Sequence, residues 1–599
     1  MNHCTILSKM QEWFSWQRCK AFAERIYAND RWFSNDRFQK TAEYCASVMR
    51  EARLSQVELL GLKADGRSAY GDWVIARAWN AKNATLRLVG DGTVLADYQA
   101  APCALALQSA PTPPEGVCAE AVWVQRAEEI PDVREKILFT GLPAKELVRA
   151  AQQGGALGIV TDYMPLFPGV RDNRESMRGV NRWDNDFCLP KNDTGLFAFS
   201  LAPEMGELLR NRLASEEKVR LFAQVDTEER DGMLPSISGC IPGSDPECGE
   251  IFVYGHLYEP GANDNASGCA LILETANCLA RAIAEGCLPR PRRTIRFAMG
   301  QECGGSTGYL LRHPERKARL AIVADMVGTE SIDHARLSIW HNPLANWSFL
   351  DTAVLEILKA CRAQFDPEFV WEERAFAVGT DNMLSDPCWN MPTVAMITEP
   401  ALSYHSSMDT PDRLEESVMR RNAMVLGAFV WFCANFAQGE AEGLLPAMRE
   451  QIERRAAGAR TAAEKALWAD ARAHAERAMT AFCANAEAPG FAAKQTFAPA
   501  PDAAAAQIPV RNVPGCLTFA PHSALRHSQW QPAWNTRLNL PLFWANGTRS
   551  LWEIACLSAI EEGETDAAAR LSWLREYFGV LAEYGYIHWR KPAQVEGKV

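Results

Sequence analysis

The strongest constraint on this chain is a pattern repeated three times between residues 247 and 328. The segments EIFVYGHL, RTIRFAMGQE and LAIVADMVG are apolar runs of strand length, and each runs into a residue type that binds metals: His256, Glu302 and Asp325. Between the first two lies NASGCALILETANCLARAIAEG, whose apolar residues recur at helical spacing. Strands that read as near-continuous apolar runs are buried on both faces, as in a mostly parallel sheet covered by helices. In such sheets ligand sites collect beyond the carboxyl ends of the strands. The pattern predicts an α/β fold: a mixed, mostly parallel central sheet flanked by helices, with its chemistry along one edge.

Histidine is scarce, with ten in the chain, which makes the positions of two of them informative. His256 ends the first strand. Asp264 follows eight residues later in the Gly/Asn-rich turn GANDNASG, and His405 lies in SYHSSMDTP. With Glu302 and Asp325 they supply two imidazoles and three carboxylates, the donor set of a two-metal zinc site. A carboxylate has two oxygens and can bridge ions about 3.5–4 Å apart. A single Asp at a strand end commonly caps or turns the chain; five such residues at successive sheet edges are not explained as caps.

The remaining chain divides by texture. Residues 1 to about 60 have helical spacing; from Ala64 come turn-punctuated strands with DG signals and then strand–helix alternation to about residue 230. Residues 441–515 are an Ala/Glu/Arg-rich helical segment followed by a Pro/Ala-rich linker, and 516–599 read as helices followed by the short strand YIHW, a winged-helix pattern. The expected organisation is therefore a discontinuous core (1–63 and 231–440), an inserted β-rich domain (64–230), a helical and linker segment (441–515) and a winged-helix end (516–599).

The residues around the five ligand-type positions carry a resemblance. His256, GANDNASG around Asp264, ECGGSTGY at Glu302, DMVG at Asp325 and YHSSMDT at His405 resemble the co-catalytic zinc aminopeptidase family, which includes the glutaminyl cyclases, over residues 247–440. Residues 64–230 resemble the protease-associated domain that this family often carries as an insertion. HLYEPGANDNASG, ECGGS, ADGRSAYGDW and the winged-helix end resemble its bacterial aminopeptidase-like subfamily. The resemblance implies two zinc ions, although the ligand set admits other divalent metals. It places Asp264 between them, His256 and Asp325 on one, and Glu302 and His405 on the other. It further implies a peptide or aminoacyl small-molecule substrate cleaved at its amino-terminal bond by a metal-activated water.

Two departures from the family pattern matter. Where the family has a general-base glutamate before the ligand glutamate, this chain has Gln301, and a neutral amide does not accept a proton at neutral pH. Where the family has an aspartate that orients the first histidine, this chain has Tyr258, with Glu259 beside it as a candidate orienting group or replacement base. Asp381, in VGTDNML, is expected against the substrate or supporting a ligand, and Tyr404 is expected to line the substrate pocket. Reduced hydrolysis, altered chemistry, a binding role and a regulator with a peptidase-like sensor all stay open at this level.

Charge and composition bear on partners. The chain has 62 basic and 74 acidic residues, a net charge of −12, which argues against a general nucleic-acid binder. The balance persists locally: from Thr548 to Lys591 five basic residues face seven acidic ones, so the expected winged helix is read as a docking or homo-oligomerisation module rather than a DNA reader. The longest apolar run, Met424 to Ala437, is shorter than the roughly 20 residues of a bilayer span and is expected as a buried helix. The start, MNHCTILSKMQEWFSWQRCK, lacks an apolar signal core, and the 18 cysteines are scattered. Both are expected of a cytoplasmic protein with reduced thiols and no membrane partner.

Overall fold

A computed structural model describes residues 3–130, 132–187, 189–215, 218–494, 496–525, 528–564 and 566–590. The last residues of the expected winged helix, Lys591 among them, lie outside the described residues. The central element is an eight-stranded mixed sheet built from β1 (Ser55–Ala64), β2 (Gly232–Ile241), β3 (Glu250–Leu257), β4 (Thr294–Gln301), β5 (Ala318–Asp325), β6 (Arg336–Trp340), β7 (Glu372–Arg374) and β8 (Thr393–Glu399). Its spatial order is β1-β2-β4-β3-β5-β8-β6-β7. The central strands β4, β3, β5 and β8 are parallel; β1 and β2 run antiparallel to their neighbours, and β6 pairs antiparallel with β8 and parallel with β7. This is the α/β class expected from the apolar runs.

Alternation along β3 shows why those runs have no polar face. Ile251 and Val253 pack into the main apolar cluster, with Leu271 and Leu279 of the helix Ala266–Ala284 and Val425 of the helix Glu416–Asn435. Phe252 and Tyr254 point the other way, into a second cluster with Tyr309 and Leu384. Both faces of the strand are covered, so Ile251 to Tyr254 form an unbroken apolar run. The run from Met424 lies in the helix Glu416–Asn435, buried from Val418 onward on its inner face and entirely from Asn422 to Ala434. Among the described residues no helix is long and apolar enough to cross a membrane.

The stretch between β1 and β2 forms a second sheet of seven strands, in the order Val94–Asp97, Ala78–Leu88, Arg220–Arg230, Val117–Val124, Ile137–Thr140, Gly158–Thr161, Phe197–Ser200. Its first four strands pair antiparallel and its last four parallel.

At the other end, the helices Gln438–Ala457 and Ala462–Cys483 pack as a pair, and Leu444, Met448, Leu467 and Trp468 reach the main apolar cluster. These helices therefore have a buried face. The Pro/Ala-rich stretch 485–515 is likewise packed: Phe491 and Ala505 are buried, and Ile508–Arg511 pairs antiparallel with Ile587–Arg590. Small residues here allow close approach to the core rather than a free connection. Three helices, Thr536–Trp544, Leu551–Glu561 and Ala567–Glu583, complete this end. Glu561 holds it to the core by accepting the backbone N–H of Leu344 and the indole N–H of Trp544, both at 2.7 Å. The buried Asp72 accepts N–H groups of Thr518 (2.6 Å) and Phe519 (2.7 Å) and the Tyr586 hydroxyl (2.8 Å).

Candidate metal centre

Parallel register sets His256 opposite Gly300 and Leu257 opposite Gln301, and β5 ends at Asp325 on the other side of β3. His256, Glu302 and Asp325 thus meet at neighbouring carboxyl ends. Asp264 arrives on the turn before the helix Ala266–Ala284. Asn265 caps that helix by accepting Gly268 N–H at 3.0 Å, and also accepts Met326 N–H at 3.1 Å while donating to the Ala324 carbonyl at 3.0 Å. The turn is thereby tied to the end of β5. From the opposite side the buried Asp409 carboxylate accepts the N–H groups of Asn263 (2.6 Å) and Asp264 (2.9 Å).

Among the described residues, ligand atoms of His256, Asp264 and Asp325 lie within 4.8 Å of one another, all buried. His256 Nε2 is 3.4 Å from Asp264 Oδ1 and 3.7 Å from Asp325 Oδ1. The other oxygen of Asp264, Oδ2, is 3.2 Å from His405 Nε2. The two oxygens of one carboxylate therefore face one imidazole each. Glu302 lies outside that group of three, close enough to interact with the charges of His256, Glu259, Asp381 and Asp325.

Glu259 and Asp381 occupy places the sequence left open or assigned differently. Glu259 Oε2 is 3.2 Å from His256 Nε2, the nitrogen that faces Asp264 and Asp325, so it does not orient the ring from behind. That position belongs to Asp381, whose Oδ2 is 3.4 Å from His256 Nδ1 and whose Oδ1 accepts the Cys303 N–H (2.8 Å) and the Ser306 hydroxyl (2.6 Å). Fully buried there, Asp381 backs a histidine, the supporting role that was one of its two expectations. Gln301 lines a small cleft with Ile75, Trp79, Leu107, Leu234 and Tyr258. The Tyr404 ring stacks on His405, with centroids 3.7 Å apart.

The electrostatics are those of a buried acidic cluster. Burial works to raise Asp264, but hydrogen bonds from His256 and His405 hold its carboxyl far below the usual range. Asp325 is pushed up to about 7 by burial, against the attraction of His256 and with the repulsion of Asp264. Burial likewise carries Glu259 and Glu302 well above the ordinary carboxyl range. His405 rises to about 9: burial opposes its charge, and Asp184 and Asp264 outweigh that. Two imidazoles do not neutralise this many carboxylates, and the buried Asp325 Oδ1 and Glu259 Oε2 have no hydrogen-bond donor in the protein. Divalent cations answer both conditions, so the residues present fit a metal centre.

Residues 237–430 match the model of peptidase family M28. No curated protein matches the chain. Solved structures that share the fold include the following two. A peptidase M28 precursor from Shewanella amazonensis SB2B is 15% identical with a TM-score of 0.52, over 72% of this chain and 97% of its own. BSAP, a zinc aminopeptidase from Bacillus subtilis, is 18% identical with a TM-score of 0.50, over 70% of this chain and 95% of its own. The matched residues run from within β2 past the His405 loop and include all five ligand-type residues.

Two residues beside the centre escaped the sequence reading. Asp184 Oδ2 is 2.9 Å from His405 Nδ1, and the Trp183 ring lies over His405 at 4.1 Å. The pair sits in the polar stretch NRWDND of the segment before Phe187, where a Trp–Asp step among asparagines is the one local signal.

Proposed function

We propose that this chain is a metal-dependent exopeptidase of aminopeptidase type, acting on peptide or aminoacyl substrates. The observation that carries the reading is Asp264, whose two carboxylate oxygens each face a different imidazole, as a ligand shared by two ions requires. His256 and Asp325 would complete one ion's set and Glu302 and His405 the other's, with zinc the ion that best suits these donors. When bound, the ions supply Lewis acidity toward the scissile carbonyl and a water acidic enough to react near pH 7.

The protein's own groups account for the rest. Gln301 stands in the base position of the family pattern and offers only an amide. Glu259, buried with Oε2 free of protein donors, is the carboxylate left over once the ligands are assigned. It takes the proton from the attacking water and returns it to the leaving amine. Asp381 fixes the His256 ring from behind, leaving Nε2 directed at Asp264 and Asp325. Tyr404 forms a wall of the pocket beside His405. We read the seven-stranded unit as the inserted protease-associated type of domain, the terminal helices and ribbon as a winged-helix module for docking or self-association, and the protein as cytoplasmic.

The test is metal analysis of the purified chain together with a panel of aminoacyl amides. About two zinc ions per chain and chelator-sensitive release of the amino-terminal residue are expected. A chain with no bound metal after purification in zinc, or full activity in Glu302→Ala, overturns the reading.

A further inference from the structure

His405 is held by a part of the chain that carries none of the other ligand-type residues. The segment 181–184, from the inserted stretch between β1 and β2, lies alongside residues 405–407. Ser407 N–H donates to the Asn181 carbonyl at 2.8 Å, Asn181 N–H to Ser407 Oγ at 3.1 Å, and Trp183 N–H to the His405 carbonyl at 3.1 Å. Further back in the same stretch, the fully buried Arg171 donates to the carbonyls of Leu402 and Tyr404. These contacts enclose a residue whose own backbone is in the left-handed region, at φ 53° for His405. A non-glycine residue holds that conformation when its surroundings over-determine it.

The ring is fixed as firmly as the backbone. Trp183 covers one side and Tyr404 stacks at 3.7 Å. Nδ1 meets Asp184 Oδ2 at 2.9 Å, and Nε2 is turned to Asp264 Oδ2 at 3.2 Å. Asp184 is in turn gripped by the guanidinium of the buried Arg182. A carboxylate on Nδ1–H selects the tautomer whose Nε2 lone pair is available, and raises the ring's basicity toward a cation.

We infer that Asp184 is the positioning residue for the His405 half of the metal centre, so that the inserted segment completes the second ion's site. This rests on the two-metal reading of the preceding section. It also makes a separate statement: the two halves of the centre are supported by different parts of the chain, Asp381 behind His256 and Asp184 behind His405.

The experiment is zinc titration of the chelator-stripped full-length chain, followed by calorimetry, for the wild type, Asp184→Ala and Asp184→Asn. Thermal unfolding of each metal-free variant reports folding independently. In the wild type two ions are expected. In Asp184→Ala the ion held with His405 should bind about 10–100-fold more weakly while the other binds as before. Asp184→Asn, which keeps an acceptor for Nδ1–H but not its charge, should lose about 10-fold. Should the alanine variant not fold, the asparagine variant carries the test. Wild-type affinity for both ions in a folded variant overturns the inference; a wild type that binds no zinc overturns the reading beneath it instead.

Discussion

Asp381 and Glu259 both lie beside His256, on opposite nitrogens, and the difference separates their expected effects. Asp381 touches only the rear nitrogen, at 3.4 Å, so Asp381→Asn should weaken the ion held by His256 and Asp325 about 10-fold without touching the proton-transfer path. Zinc competition with a chromophoric chelator measures this directly, and unchanged affinity would show that the carboxylate acts only in folding. Glu259, on the forward nitrogen at 3.2 Å, should behave the other way. Glu259→Gln should lower kcat by about 10²–10⁴ with zinc stoichiometry unchanged, as loss of a general base does. Adding Gln301→Glu to that variant places a carboxylate directly before Glu302 and should recover at least about 10-fold of the loss. Loss of metal in Glu259→Gln would assign it as a ligand instead. The meeting of His256, Asp264, Asp325 and His405 was legible in the sequence because each is signalled by the local run or turn that carries it. Asp184 was not, since its partner is 221 residues away and no periodicity encodes that pairing.

The hairpin Ala69–Tyr70 with Trp73–Val74 is the element through which the far end of the chain reaches the core beside the site. Its Asp72 accepts from Thr518, Phe519 and Tyr586, and Trp73 lines a small cavity with Cys303, Asp381 and Cys516. Removing the Asp72 carboxylate leaves two buried N–H groups and a hydroxyl without acceptors. Asp72→Ala should therefore destabilise the protein by at least about 3 kcal/mol, each of the three unsatisfied donors costing about 1–3 kcal/mol. Urea unfolding gives the magnitude, and limited proteolysis should open the chain near residues 513–534 first. A variant that unfolds like the wild type and is cleaved elsewhere would mean that packing alone holds this segment. The strands of the central sheet were legible from their apolar runs, whereas this latch depends on a single carboxylate in a polar turn, ADGRSAYGDW, whose acceptors and donors lie more than 440 residues apart.

At the scale of the molecule, composition reads residues 485–515 as a Pro/Ala-rich linker, and the packing of Phe491, Ala505 and the Ile508–Arg511 strand shows why composition misleads there. Ala and Pro are as compatible with close packing as with a free chain. Two buried titratable groups in this region make its attachment depend on pH, in opposite senses. Burial pushes Glu561 up to about 7, above its ordinary value, in spite of the N–H groups it accepts from Leu344 and Trp544. Between the ordinary and folded values the folded protein binds the proton more tightly, so this contribution to stability falls as pH rises and is fully lost above about 7. Burial lowers His474, packed on Phe491, to about 4, below its ordinary value. Here the unfolded chain binds the proton more tightly, so stability falls as pH drops from about 6.5 toward 4. Over the shared window the two slopes oppose. Glu561→Gln removes the falling contribution and leaves that of His474. Its stability should then rise by about 1–3 kcal/mol more than the wild type's between about pH 5 and pH 7.5, whatever constant cost the amide imposes. Urea midpoints of both proteins at the two pH values give the difference of differences, and parallel profiles would mean that Glu561 keeps the same charge in both states.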